Sequence, residues 1–160
     1  MKLDSIKKSE YSGDYESTIL EQWKICVDAA HKVSERRNNT NNIFITINAA
    51  LFALTTFTLD YKSILLSAIG IVICILWICS INSYKELNKV KFEIINEIEE
   101  RLPLAPFDYE WKTLRLEQKY VNLTKIEKIL PWIFLFLYAI SILWPIFKLL
   151  LKFICPCVEG

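Results

Sequence analysis

The chain has 160 residues, enough for one domain of ordinary size, and 53% of them are apolar, above the roughly 45–50% of a soluble domain. Nineteen Lys and Arg face eighteen Asp and Glu, and the resulting net charge of +1 excludes the basic footprint of a nucleic-acid binder. Only three glycines occur, and no glycine-rich phosphate loop, H-E-x-x-H zinc motif or nucleophile elbow is present.

The apolar excess is gathered into three blocks, 43–59, 63–81 and 129–147, none of which contains Asp, Glu, Lys or Arg. Between them the chain is strongly charged. This distribution predicts an all-α membrane protein: a transmembrane helical hairpin, amphipathic helical extensions in the cytoplasm, and a third apolar helix near the C-terminus. A secretory signal would place its apolar core within the first ~15–30 residues. Those residues are charged and polar here, so the first block is expected to remain as a membrane anchor.

In chain order, 1–13 reads as a flexible N-terminus and 14–40 as a cytoplasmic amphipathic helix. Ile19, Leu20, Trp23, Cys26, Val27, Ala30 and Val33 recur at three- and four-residue spacing, with Lys24, Asp28, Lys32 and Glu35 off that stripe. The run Asn38-Asn39-Thr40-Asn41-Asn42 reads as a weak joint before the first span, 41–59. Within that span Asn41, Asn48 and Thr55 lie seven apart and share a face, beside a small-residue face of Thr46, Ala49 and Ala53. Polar side chains in a membrane face either a partner helix or a water-filled path. The thread therefore marks helix packing or the lining of an oligomeric pore.

The link 60–62 is too short for anything but an antiparallel hairpin, with its tip outside the cell. The second span, 63–81, rises roughly 28 Å as a helix, close to the ~30 Å hydrocarbon core. It leads into a cytoplasmic helix, 82–102, ended by Pro103. The two amphipathic helices leave one hairpin side by side. Trp23, Val27, Leu87, Val90, Ile94 and Ile98 are thus the candidate seam, closed within the chain or shared with neighbouring subunits. Glu93, Glu97, Glu99 and Glu100 read as a solvated helix face. A proline-punctuated connection, 103–123, follows, pinned by Phe107, Tyr109, Trp111 and Tyr120.

Thr124 and Glu127 form a capping-box pattern opening the third span, 124–147. Pro131 sits in its first turns, and Pro145 is expected to kink or end it. Trp132 and Trp144, about 18 Å apart along a helix, read as interface anchors. The competing reading is a surface or re-entrant helix. In the remaining 148–160, an interfacial helix and tail, Lys148 and Lys152 are placed to snorkel.

Lys24, Lys32, Arg36 and Arg37 precede the first span, whereas the hairpin turn carries Lys62 alone, and the segment between the second and third spans is rich in Lys and Arg. The positive-inside rule then places the N-terminus and the middle segment in the cytoplasm and the C-terminus outside. His31, the sole histidine, has no partner at ligand spacing and reads as a structural or surface residue. Cys74 and Cys79 read as small hydrophobes, and Cys155-Pro156-Cys157 is a lone C-x-C pair, a weak signal for metal or redox chemistry. No catalytic residue, metal site or cofactor is expected, and no enzyme.

Several stretches together resemble the RipA-type octameric membrane protein family of bacteria. They are LEQWK at 20–24, SERR at 34–37 with the asparagines after it, FITIN at 44–48, SYKELNKVKF at 83–92, INEIE at 95–99, LPLAP at 102–106 with Tyr109-Glu110-Trp111, and LTKIE at 123–127. The resemblance covers most of 20–132 and implies a small protein of the bacterial cytoplasmic membrane that forms homo-octamers. The expected partners are the lipid bilayer, further copies of the chain and a cytoplasmic protein, with no nucleic acid. Two functions stay open: a structural or interaction scaffold, and a weakly selective channel or pore-forming effector lined by the first span.

Overall fold

The computed structural model describes residues 3, 6, 8–57, 61–116 and 123–154. Among them every regular element is helical: a short 3-10 turn at Lys8–Glu10, then α1 (Tyr15–Phe57), α2 (Tyr61–Glu99), α3 (Pro106–Leu116) and α4 (Leu123–Ile154). Asp14 caps α1: its carboxylate accepts from the Ser17 amide at 3.2 Å, and its carbonyl accepts from the Thr18 hydroxyl at 2.8 Å. Lys8 donates to Glu16 at 2.8 Å, and that carboxylate holds the ammonium above its ordinary range.

The asparagine run does not form a joint, because α1 passes through it unbroken. Each Asn costs at most about 0.7 kcal/mol of helix propensity. Tertiary contacts offset part of that cost, as Asn41 accepts a hydrogen bond from the Trp77 indole of α2 at 2.8 Å.

The chain divides into two compact units, and both long helices contribute to each. The first comprises Met1–Asn38 and Ser83–Asn122. Its buried apolar side chains are Ile19, Ala30 and Val33 from α1 and Ile95 and Ile98 from α2. Asn88 reaches Ser34 at 3.4 Å across the pair. The predicted stripe on α2 is split. Ile98 is buried, whereas Leu87 is 45% and Val90 51% exposed, because Ile95 takes the inward position.

The connection expected at 103–123 contains a helix. The chain leaves α2 through tight bonds from the Arg101 amide to the Ile98 carbonyl and from the Leu102 amide to the Glu99 carbonyl, both 3.0 Å. After Pro103 it re-enters helix at Pro106, where a missing N–H costs nothing. Phe107 fixes α3 in place, its ring 6.1 Å from that of Trp23 and 5.8 Å from that of Phe92. Tyr109 faces outward, and Trp111 carries the Arg115 guanidinium 4.7 Å above its ring. Tyr120 lies outside the described residues.

The second unit comprises Asn39–Asn82 and Leu123–Gly160. Among the described residues two helices are long and apolar enough to cross a membrane, Lys62–Glu99 and Leu123–Phe147. The apolar portion of α1, 43–57, is not one of them: it is followed by residues outside those described, and a window of 18 residues ending at Phe57 takes in Thr40, Asn41 and Asn42. Of the hairpin turn, Asp60 lies outside the described residues. Pro145 does not end α4, which continues to Ile154. A proline inside an apolar helix is tolerated where the helix is held by its neighbours and locally adjusted bonds.

Candidate functional site

The side chains of Cys74 and Tyr138 converge on Asn48. It lies on α1 in the second unit and is fully buried, as are Cys74 of α2 and Tyr138 of α4. The Asn48 amide nitrogen donates to the Phe44 carbonyl one turn back at 2.8 Å, which orients the side chain. Its amide oxygen then accepts from the Cys74 thiol at 3.2 Å and from the Tyr138 hydroxyl at 3.3 Å. Tyr138 also reaches the Asn48 backbone carbonyl at 3.1 Å. One amide thus ties α1 to both other apolar helices.

Gly70 of α2 makes room for the Tyr138 ring. A Cβ at this position would stand 2.3 Å from the ring carbon Cζ, so no larger residue fits without displacing the phenol. Rings extend the contact along the helices. Phe44 stacks on Trp77 at 5.7 Å with planes 7° apart, Trp77 meets Phe134 at 6.5 Å, and Phe52 meets Tyr138 edge-on at 5.9 Å. Thr55 is 3% exposed and donates to the Phe52 carbonyl at 2.7 Å.

The predicted polar thread of Asn41, Asn48 and Thr55 therefore faces inward, toward partner helices of the same subunit. The neighbouring small face points the other way, with Thr46, Ala49, Ala50 and Ala53 exposed. Trp132 and Trp144 are 61% and 57% exposed on α4. The side chains of Lys148 and Lys152 lie outside those described, as do Cys155 and Cys157. His31 is exposed, and Cys79 is exposed where Cys74 is buried.

The sequence analysis missed a second polar site. Glu99, expected on a solvated face with Glu93, Glu97 and Glu100, is 1% exposed. Its carboxylate accepts from the Phe107 amide at 3.4 Å and the Asp108 amide at 3.2 Å. These are the free N–H groups of the first turn of α3, whose flanking residues Ala105 and Pro106 have no side-chain acceptor. Glu99 caps α3 from across the turn, and the positive end of the helix dipole favours its charge. The signal was present in sequence form: a proline-led helix with no capping side chain of its own.

The polar groups at both sites bond to one another or to backbone and leave no acid, base or nucleophile aimed into an open cleft. The sites hold helices together. Apolar helices of membrane-crossing length, joined by a buried amide, phenol and thiol, define an α-helical integral membrane protein. The family's sequence model matches residues 20–147, so the chain belongs to the octameric membrane protein family, which carries a membrane setting and self-association. Neither a curated relative nor a solved structure matches the chain.

Proposed function

We propose that the protein is a non-catalytic scaffold of the bacterial cytoplasmic membrane. Eight copies form a ring of three-span subunits, with the N-terminus and the charged helices in the cytoplasm and the C-terminus outside. The observation that carries this reading is the burial of Asn48 and Thr55, 0% and 3% exposed within a single subunit. A conducting path between copies would need the repeated polar groups of α1, and those groups already bond within their own chain.

The same cluster supports three spans. Tyr138 lies in the middle of the apolar stretch of α4, and Gly70 and Cys74 in the middle of that of α2. A helix lying on the membrane surface would not deliver its centre to the centre of a spanning helix. The apolar part of α1, bonded to both, shares their medium although its own hydropathy is lower.

Copies are read as meeting through two faces. In the charged unit, Leu87 and Val90 are apolar and exposed. Val27 and Ile94 are half-buried beside them, while Trp23 and Ile98 serve the subunit's own core. In the apolar unit, the outward small residues of α1 permit close helix approach. The remaining charged surface is a rim on which a cytoplasmic protein partner docks.

Native mass in mild detergent, followed by flux assays in liposomes, tests the reading. An octameric mass with no flux above empty liposomes, across several pH values and voltages, is expected. Flux from well-assembled protein would restore the channel. For topology, an impermeant thiol reagent applied from outside should label Lys62→Cys but not Glu86→Cys above the parental level.

A further inference from the structure

One face of α4 combines two cations with a long apolar run. Lys125, Lys128, Ile129, Trp132, Ile133 and Phe136 line an open groove of about 500 Å³. Lys125, Ile129, Trp132 and Phe136 follow one another at three- and four-residue spacing, so they lie along a single stripe. The apolar members are all at least half exposed: Ile129 53%, Trp132 61%, Ile133 50% and Phe136 66%. Among the described residues no other part of the subunit covers this face.

The two lysines have no acidic partner among the described residues. Glu127, the nearest carboxylate in sequence, lies about 200° around the helix from Lys125 and about 100° from Lys128, and so off the stripe that carries them. Both ammonium groups thus stand at the head of an apolar groove without a counter-ion. Going down the stripe, Trp132 is one to two turns below them, the depth at which an indole sits among headgroups. Ile140 and Leu143, 45% and 62% exposed, continue the apolar surface deeper. From Lys125 to Phe136 the rise is about 17 Å, and one leaflet of the hydrocarbon core is about 15 Å thick.

We propose that this groove is a binding site for an anionic phospholipid of the cytoplasmic leaflet. Lys125 and Lys128 take the phosphate, Trp132 takes the glycerol region, and Ile129, Ile133 and Phe136 take an acyl chain. The assignment rests on the topology proposed above, which puts the start of α4 at the cytoplasmic surface. Charge decides the occupant. A second copy would bury two uncompensated ammonium groups, at a large desolvation cost, whereas an anionic headgroup neutralises both at the water boundary.

The test uses the full-length protein reconstituted in vesicles of equal phosphatidylglycerol and phosphatidylcholine, with co-released lipids counted by native mass spectrometry. Wild type should retain phosphatidylglycerol over phosphatidylcholine by roughly thirtyfold, about what two surface lysines supply. The Lys125→Gln/Lys128→Gln double variant should fall to parity at unchanged oligomer mass, and the Lys125→Arg/Lys128→Arg variant should keep the preference. Undiminished preference in the glutamine variant would overturn the proposal. So would loss of subunits without a change in lipid, which would make the face a seam between copies, and so would displacement of the lipid by excess inorganic phosphate. Failure of the scaffold reading is separately visible, as wild-type protein whose mass is not that of an octamer.

Discussion

Tyr138 donates its hydroxyl hydrogen to the backbone carbonyl of Asn48, ninety positions earlier in the chain, at 3.1 Å, with the Asn48 side-chain oxygen 3.3 Å from the same hydroxyl. Both residues are fully buried. A buried carbonyl oxygen in an apolar helix bundle has no water to turn to, and among the described residues the phenol is its one partner outside its own helix.

Tyr138→Phe keeps the ring in its place against Gly70 and Phe52 and removes one hydrogen bond. The expected cost is about 0.6–1.7 kcal/mol, the range for interhelical bonds in membranes. Asn48→Leu should cost more, about 2–3 kcal/mol, since it strands the Cys74 thiol, leaves the Tyr138 hydroxyl with the backbone carbonyl alone, and adds a branched side chain to a closed site. Thermal unfolding in detergent orders the three proteins. Equal stability of all three would mean that the cluster does not hold the helices.

Gly70→Ala would normally favour a helix by up to about 1 kcal/mol. Here the new methyl would stand 2.3 Å from the Tyr138 ring, and overpacking of this kind costs about 1–3 kcal/mol. In a Tyr138→Ala background the obstacle is gone, and the same substitution should become neutral or stabilising. A double-mutant cycle measures this reversal of sign directly.

Removing the Glu99 carboxylate should loosen α3. Glu99→Gln retains an acceptor and loses the charge, for a cost of about 1 kcal/mol. Glu99→Ala leaves two amides unsatisfied and should cost about 2–3 kcal/mol. Hydrogen exchange is the appropriate readout: the Phe107 and Asp108 amides should exchange faster in that order, while amides near Asn48 keep their protection.

Leu87→Asp separates assembly from folding. The side chain is 45% exposed in the subunit, so the substitution should leave the subunit folded and shift the mass distribution at least tenfold toward smaller species. Ile98→Asp, at a site 7% exposed, should instead fail to fold. An unaltered octamer in Leu87→Asp would place the seam elsewhere.

How much of this was legible in the sequence varies from element to element. The heptad spacing of Asn41, Asn48 and Thr55 marked one face of α1 as exceptional, because period alone fixes which residues share a face. It did not say what that face meets. Likewise the stripe on α2 was read as Leu87, Val90, Ile94, Ile98 and Leu102, with Phe92 and Ile95 beside it, whereas Ile95 and Ile98 make the core. Two adjacent isoleucines satisfy a 3.6-residue period equally well, and only the position of α1 selects between them.

The sequence by itself determined that the chain is helical and that its apolar blocks belong in a membrane, because hydropathy and local periodicity are properties of neighbouring residues; the family it joins was legible in the resemblance of its motifs. The tertiary structure alone decided that Asn48 turns to Cys74 and Tyr138, that Gly70 accepts a phenol ring, and that Glu99 caps a helix beyond two prolines. Each of these pairs residues far apart in sequence or hidden in a charge run, and a hydrogen bond or a close approach is set by where two backbones cross, which no local pattern encodes.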